Sequence, residues 1–225
     1  MTHHYLTCRR LLGGALLCAL AACSQLPPPA THSAAAALPA APAAPAIGPQ
    51  LRIDSAQSLI AVTVRRGGVL ARLGHDHVVA SHQITGTVSP AQNRADVQFR
   101  LDEMKIDEAG LRRIAGLEKQ PSADAIEGTR HNMLTKVLDA DRYPVVSIHA
   151  ERAAKGQPLQ VSITLHGITL TMAVPVELRE ENGNINIRGT FTLKQTDFGL
   201  TPFSVMGGAM AVQDQMELRF DLTAR

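Results

Sequence analysis

From Leu51 to Arg225 apolar and polar residues alternate in short runs, the period-two signature of strands buried on one face. Val97, Phe99 and Leu101 alternate with Asp96, Gln98 and Arg100, and Met216, Leu218, Phe220 and Leu222 alternate with Glu217, Arg219 and Asp221. Strand patterns cover 58–66, 69–81, 83–89, 95–106, 145–152, 159–166, 168–179, 185–196 and 215–224. Turn residues separate them at Gly67-Gly68, Pro90 to Asn93, Gly156 to Pro158, His166-Gly167 and Asn182-Gly183. Connections this short join antiparallel neighbours, and a barrel or a strongly curved sandwich removes the exposed edges of such a sheet. The pattern therefore predicts an all-β domain over residues 51–225.

One stretch breaks the rhythm. Ile126, Met133, Leu134, Val137 and Leu138 recur at helical spacing, so an apolar stripe faces a core while Arg130, Lys136 and Asp139 face water. Ser122 after Pro121 can cap the first turn, and Asp124 favours its positive end. Pro144 biases Tyr143 away from helical geometry and closes the segment. Val146, Ile148 and Ala150 against Ser147, His149 and Glu151 then begin a strand at once. A single amphipathic helix in a strand-rich chain reads as a lid or plug on a sheet.

The N-terminal residues follow other rules. Arg9-Arg10 precedes a 12-residue apolar run from Leu11 to Ala22, too short to span a bilayer, which takes roughly 20 residues. Leu20-Ala21-Ala22-Cys23 resembles a bacterial lipobox, which implies a signal peptide over residues 1–22, cleavage before Cys23 and acylation of that cysteine. The alternative is ordinary secretion. Ser24 resembles the outer-membrane sorting class, so the expectation is a periplasm-facing lipoprotein of the bacterial cell envelope. Residues 24–50 hold 7 Pro and 10 Ala and no Lys, Arg, Asp or Glu, a composition that cannot bury a core. With Cys23 this makes a tether over residues 23–50 that would reach on the order of 80 Å if fully extended.

Charge and cysteine usage narrow the chemistry. Removing residues 1–22 takes away two of 22 basic residues and none of 20 acidic ones, leaving 20 against 20. That balance argues against a nucleic-acid partner. Cys8 and Cys18 leave with the signal and Cys23 carries lipid, so the mature chain has no thiol for a disulfide, a nucleophile or a metal site. Gly67-Gly68 and Gly207-Gly208 match no phosphate loop or dinucleotide fingerprint, and no nucleophile elbow is present. Asp102, Glu103, Asp107 and Glu108 cluster at a strand end, where a solvated turn is expected. The chain does not read as an enzyme.

Gly74-His75-Asp76-His77-Val78-Val79 is the unusual motif. On a strand, His75 and His77 project to one face, either as polar groups of a pocket or as two ligands of Zn or Cu, with His82 or His131 as a third. His149 and His166 read as surface residues. Periodicity cannot say whether the interior is filled by side chains or holds a ligand. With no Trp and 3% aromatic residues, aliphatic and Met side chains do most of the filling.

Several motifs together resemble one family. Leu165-His166-Gly167-Ile168-Thr169, Tyr143-Pro144-Val145-Val146-Ser147-Ile148, Gly189-Thr190-Phe191-Thr192-Leu193, Asp197-Phe198-Gly199-Leu200 and Val212-x-Asp214 are similar, in order and spacing, to the pattern of the YceI-like, lipocalin-like periplasmic proteins. Departures fall at Leu170 and Thr171, at Gln195-Thr196 and at Arg130-His131-Asn132-Met133-Leu134. The resemblance implies an eight-stranded antiparallel lipocalin-like β-barrel whose apolar channel holds a polyisoprenoid or quinone-like lipid, without catalysis and without another cofactor. On that reading Phe99, Val146, Ile148, Ile163, Phe191, Leu193 and Phe220 line the channel and Met133 of the helix covers one side. A metal-handling envelope protein using His75 and His77, and a filled scaffold barrel, remain as alternatives, and a homodimer is left open.

Overall fold

The computed structural model describes residues 48–117, 119–154 and 156–225. The expected signal peptide, Cys23 and all but the end of the tether lie outside them. The strands are β1 (Leu51–Arg52), β2 (Leu59–Gly67), β3 (His77–Ser81), β4 (Ile84–Ser89), β5 (Arg94–Arg100), β6 (Lys105–Ile106), β7 (Val145–Glu151), β8 (Leu159–Leu165), β9 (Ile168–Val174), β10 (Glu177–Glu181), β11 (Asn184–Lys194), β12 (Ser204–Val205) and β13 (Met210–Ala224). Two helices, α1 (Ala109–Ile114) and α2 (Ala123–Asn132), lie between β6 and β7, and α2 continues into a π turn over Met133–Val137.

The strands form two antiparallel sheets, ordered β1-β4-β5-β7-β8-β9 and β10-β11-β13-β2-β3-β6, with β12 against β13. Backbone bonds between Arg52 and Arg225, and from Asp54 N–H to Thr223 O, join the edge of the first sheet to the end of β13. The ladders do not otherwise close among the described residues, so the architecture is two curved sheets face to face rather than one hydrogen-bonded barrel. Two segments expected as single strands are each split between the sheets. Residues 168–179 divide into β9 and β10 at Pro175, which has no N–H to donate to a ladder. Residues 95–106 divide into β5 and β6 at the turn Leu101–Met104. Residues 69–81 also yield less strand than expected, because a 3-10 turn over Ala71–Leu73 delays β3 until His77.

The helix begins as its sequence predicts, with Ser122 Oγ accepting from Ala125 N–H at 3.2 Å. It ends earlier. Asp139 takes a left-handed conformation (φ 44°), and Leu138 and Ala140 return their N–H groups to Met133 O and Leu134 O. That closure satisfies the last carbonyls before Pro144 has any influence. Met133, Leu134, Val137 and Leu138 pack on the core as the stripe requires. Arg130 departs from its expected solvent-facing role, because its guanidinium donates to Met104 O and Asp102 O and pins the helix to the β5–β6 turn.

The motif residues that carry the family resemblance are largely structural. His166 (φ 52°) and Gly167 (φ 76°) form the tight β8–β9 turn. The Tyr143 ring packs edge-on against His166 with centroids 4.6 Å apart, and a Cβ on Gly167 would lie 3.0 Å from that ring. Gly189 faces Phe220 across the β11–β13 ladder, where a Cβ would come within 2.6 Å of the phenyl ring. Asp214 accepts from Thr196 N–H and Oγ1 and holds the turn that buries Phe198 completely.

Candidate functional site

The inner faces of the sheets do not meet at the centre; they enclose a cavity of about 390 Å³. Strand alternation makes its wall. β2 contributes Ile60, Val62, Val64 and Arg66, alternate residues spanning about 20 Å at the rise of a strand. Opposite, β5, β7 and β8 present Val97, Phe99, Val146, Ile148, Val161 and Ile163. The eight residues expected to line a channel all reach this wall: Phe99, Val146, Ile148 and Ile163 from one sheet, Phe191, Leu193 and Phe220 from the other, and Met133 from the π turn. The Phe191 and Phe220 rings meet edge to face at 6.1 Å. Val62, Val64, Val97, Leu218 and Leu222 belong to the same wall. Their signal is the same period-two alternation, legible once the inward face of each strand is known.

Polar groups collect at one end. Arg66, His75, His77, Thr129 and Gln195 line the cavity there, and Gln195 Nε2 donates to Gln213 O at 2.8 Å while Gln213 Nε2 donates to Arg66 O at 3.0 Å. His77 opens β3 and His75 lies two residues ahead of it, just outside the strand, with the two ring centroids 6.0 Å apart. Burial first, then the positive field of His77, Lys119, Arg112 and Arg66, holds the His75 imidazole below its ordinary pKa. A smaller cavity of about 250 Å³ adjoins this end, shares Arg66 and His75, and also carries Arg65, Asp76, Arg112 and Lys119.

His77 is held by a buried network. Its Nδ1 lies 2.6 Å from Asp107 Oδ2, while Asp107 Oδ1 accepts from Val78 N–H at 3.0 Å and from Arg112 Nη1 at 2.5 Å. Burial pushes the Asp107 carboxyl up, but the bonds from His77, Val78 and Arg112 outweigh it and keep the acid below its ordinary pKa. An ionised carboxylate only accepts, so His77 Nδ1 carries the proton and Nε2 turns to Thr129 Oγ1 at 3.2 Å. The expected solvated turn is thus corrected for Asp107, which is 3% exposed. Sequence reasoning missed Asp107, Arg112 and Thr129 because each lies far along the chain from His77. The remaining histidines go elsewhere. His82 pairs with Glu108 at 2.8 Å, His149 with Asp96 at 2.7 Å, and His131 is exposed on α2. Neither His82 nor His131 joins His75 and His77, and among the described residues no three His, Cys, Asp or Glu side chains are grouped to hold a metal ion.

The loops beyond this polar end are apolar on their outer side. Val69 is 87% exposed and Met206 69% exposed, with Leu73 and Val205 also open to solvent.

Residues 51–224 match the family described as YceI-like domain. Among solved structures the fold is similar to a polyisoprenoid binding domain from Saccharophagus degradans implicated in plant cell wall breakdown, with a TM-score of 0.57 at 11% identity over 78% of this chain and 97% of that one. It is similar also to BcnA of Burkholderia cenocepacia, with a TM-score of 0.55 at 17% identity over 77% of this chain and 99% of that one. At these identities the likeness is one of fold. No curated protein matches the chain.

Proposed function

The chain belongs to the YceI-like domain family, and from that membership and its hollow interior we propose that it binds a polyisoprenoid or quinone-like lipid without transforming it. The observation that carries this reading is the apolar cavity. Left unfilled, these apolar walls either meet water or give up contacts to empty space, and both are unfavourable. A long apolar ligand removes that cost. Its volume lies within the range of small-molecule sites, and a few polar groups at one end of an apolar tube suit an amphiphile whose tail lies along β2 and whose head stops near Arg66, His75 and His77. The similar fold of a domain described as polyisoprenoid binding supports the same ligand class.

Native mass spectrometry of the purified protein, followed by organic extraction, tests the reading. The expected result is a mass increment that disappears on extraction and reappears as a prenyl-chain lipid. Protein that runs at its polypeptide mass after gentle purification, and takes up no added prenol or quinone, would sink it.

The proposed location is the envelope face of a bacterial membrane, with Cys23 acylated and residues 24–50 as the leash. Cys23→Ser is expected to leave the signal uncleaved or to release the mature chain from the membrane fraction. Fractionation and an N-terminus identical to wild type would remove the lipoprotein reading and leave the cavity reading intact.

A further inference from the structure

Seven large apolar side chains are exposed among the described residues, and four of them, Val69, Leu73, Val205 and Met206, lie on two neighbouring loops. The loops span residues 67–74, from the end of β2 toward β3, and residues 203–210, which include the short β12 and the start of β13. They are fastened together. Leu70 N–H donates to Ala209 O at 2.8 Å, and a Cβ on Gly68 would lie 2.4 Å from that same carbonyl oxygen, so only glycine permits the approach. Both loops also line the cavity, through Gly67, Ala71 and Gly74 on one side and Phe203, Val205 and Met210 on the other. The exposed apolar patch is therefore continuous with the apolar interior.

Charge completes the pattern. Neither loop contains an Asp or Glu, while the first carries exposed Arg72 between Val69 and Leu73. Lys136, exposed on the π turn, sits 5.7 Å from the centre of the Phe203 ring. Among the described residues neither Arg72 nor Lys136 is within ion-pair distance of a carboxylate. Apolar tips flanked by two cations suit an interfacial segment on a bilayer with anionic head groups: the tips enter the acyl boundary and the cations stay at the phosphates.

We propose that these two loops form a membrane-docking rim, which seats the cavity end on an anionic lipid bilayer so that a lipid passes between bilayer and cavity without crossing water. The proposal goes beyond lipid binding and can fail separately from it. Gly48, the first described residue, lies beside Ala91 at the turn between β4 and β5.

The test places an environment-sensitive fluorophore on single cysteines in the full chain, with Cys8, Cys18 and Cys23 replaced by Ser. Val69→Cys and Met206→Cys report the rim, and Thr190→Cys on the outer face of β11 is the control. Each labelled protein is mixed with phosphatidylethanolamine–phosphatidylglycerol vesicles containing spin-labelled acyl chains. Both rim probes are expected to shift to the blue and to be quenched, with the control unchanged, and Leu73→Ser is expected to weaken vesicle partition of the Met206→Cys protein on the order of tenfold. Equal thermal melting of the labelled proteins establishes that each is folded. Rim probes that stay in water, or a control quenched as strongly as the rim, would overturn the proposal. If lipid is extracted from a protein whose rim does not insert, lipid binding stands and docking falls. Insertion by a protein that never takes up lipid gives the opposite result.

Discussion

Asp107→Asn is expected to lower the stability of the folded domain by about 3–5 kcal/mol at neutral pH, the usual cost of removing one member of a buried ion pair. The side chains of Asp107 and Arg112 are 0% and 4% exposed, so the substitution leaves a guanidinium without its counter-charge where water cannot replace it. Asn keeps a single acceptor oxygen, so it can still accept from Val78 N–H and Arg112 but then turns an NH2 donor toward His77 Nδ1 in place of the oxygen that orients that ring. At about 2–4 °C per kcal/mol for a domain of this size, the melting temperature should fall on the order of 10 °C. Glu108→Gln is the comparison. It breaks the pair with His82, but those side chains are 41% and 43% exposed, and less than about 1 kcal/mol should follow.

The same pair sets a pH dependence. The folded-state pKa of Asp107 is depressed below the unfolded value of 3.8, so its contribution is fully present above that value and is lost as pH falls through the lower, folded pKa. Urea unfolding of wild type and Asp107→Asn should show a wide gap at neutral pH that narrows below about pH 4, because only wild type has this proton to gain. A gap that is constant with pH would mean Asp107 contributes by shape rather than by charge.

Ile163→Phe is expected to displace bound lipid while leaving the apo-protein at least as stable as wild type. Ile163 is 5% exposed to solvent yet lines the cavity, opposite Ile148 on β7 and Leu170 on β9. In a close-packed core, added bulk forces strain of about 1–3 kcal/mol; beside an open cavity the same ring gains contacts instead. Stability and binding therefore move differently in the two cases. Extractable prenyl lipid should fall several-fold and apo melting should be unchanged or raised. Lower apo melting with lipid content unchanged would place the ligand elsewhere, and would mean that Ile163 stands against packed side chains.

The alternation in residues 95–101 and 216–222 is enough to name the inward face of β5 and β13, because strand geometry converts parity directly into a face. The helix stripe was legible for the same reason. Boundaries were less so. Pro175 and the Leu101–Met104 turn move the chain from one sheet to the other within a continuous apolar pattern, and hydropathy is blind to which sheet receives a strand. Arg130 reads as a solvent-facing residue until the carbonyls of Asp102 and Met104 are brought beneath it.

The sequence by itself determined a β-rich domain with one amphipathic helix, the candidate lining residues, the tether composition and the family, since each rests on local spacing or on motifs that build turns. Tertiary structure alone decided that the lining residues stand back from one another around about 390 Å³ of space, because a void is a relation between two sheets and leaves no period in either. It also decided the roles of His77, Asp107, Arg112 and Thr129. Asp107 lies 30 positions from His77 and reads as one acid in a polar turn; only the pairing of β3 with β6 carries its carboxylate into the interior, where the lack of water makes its partners decisive.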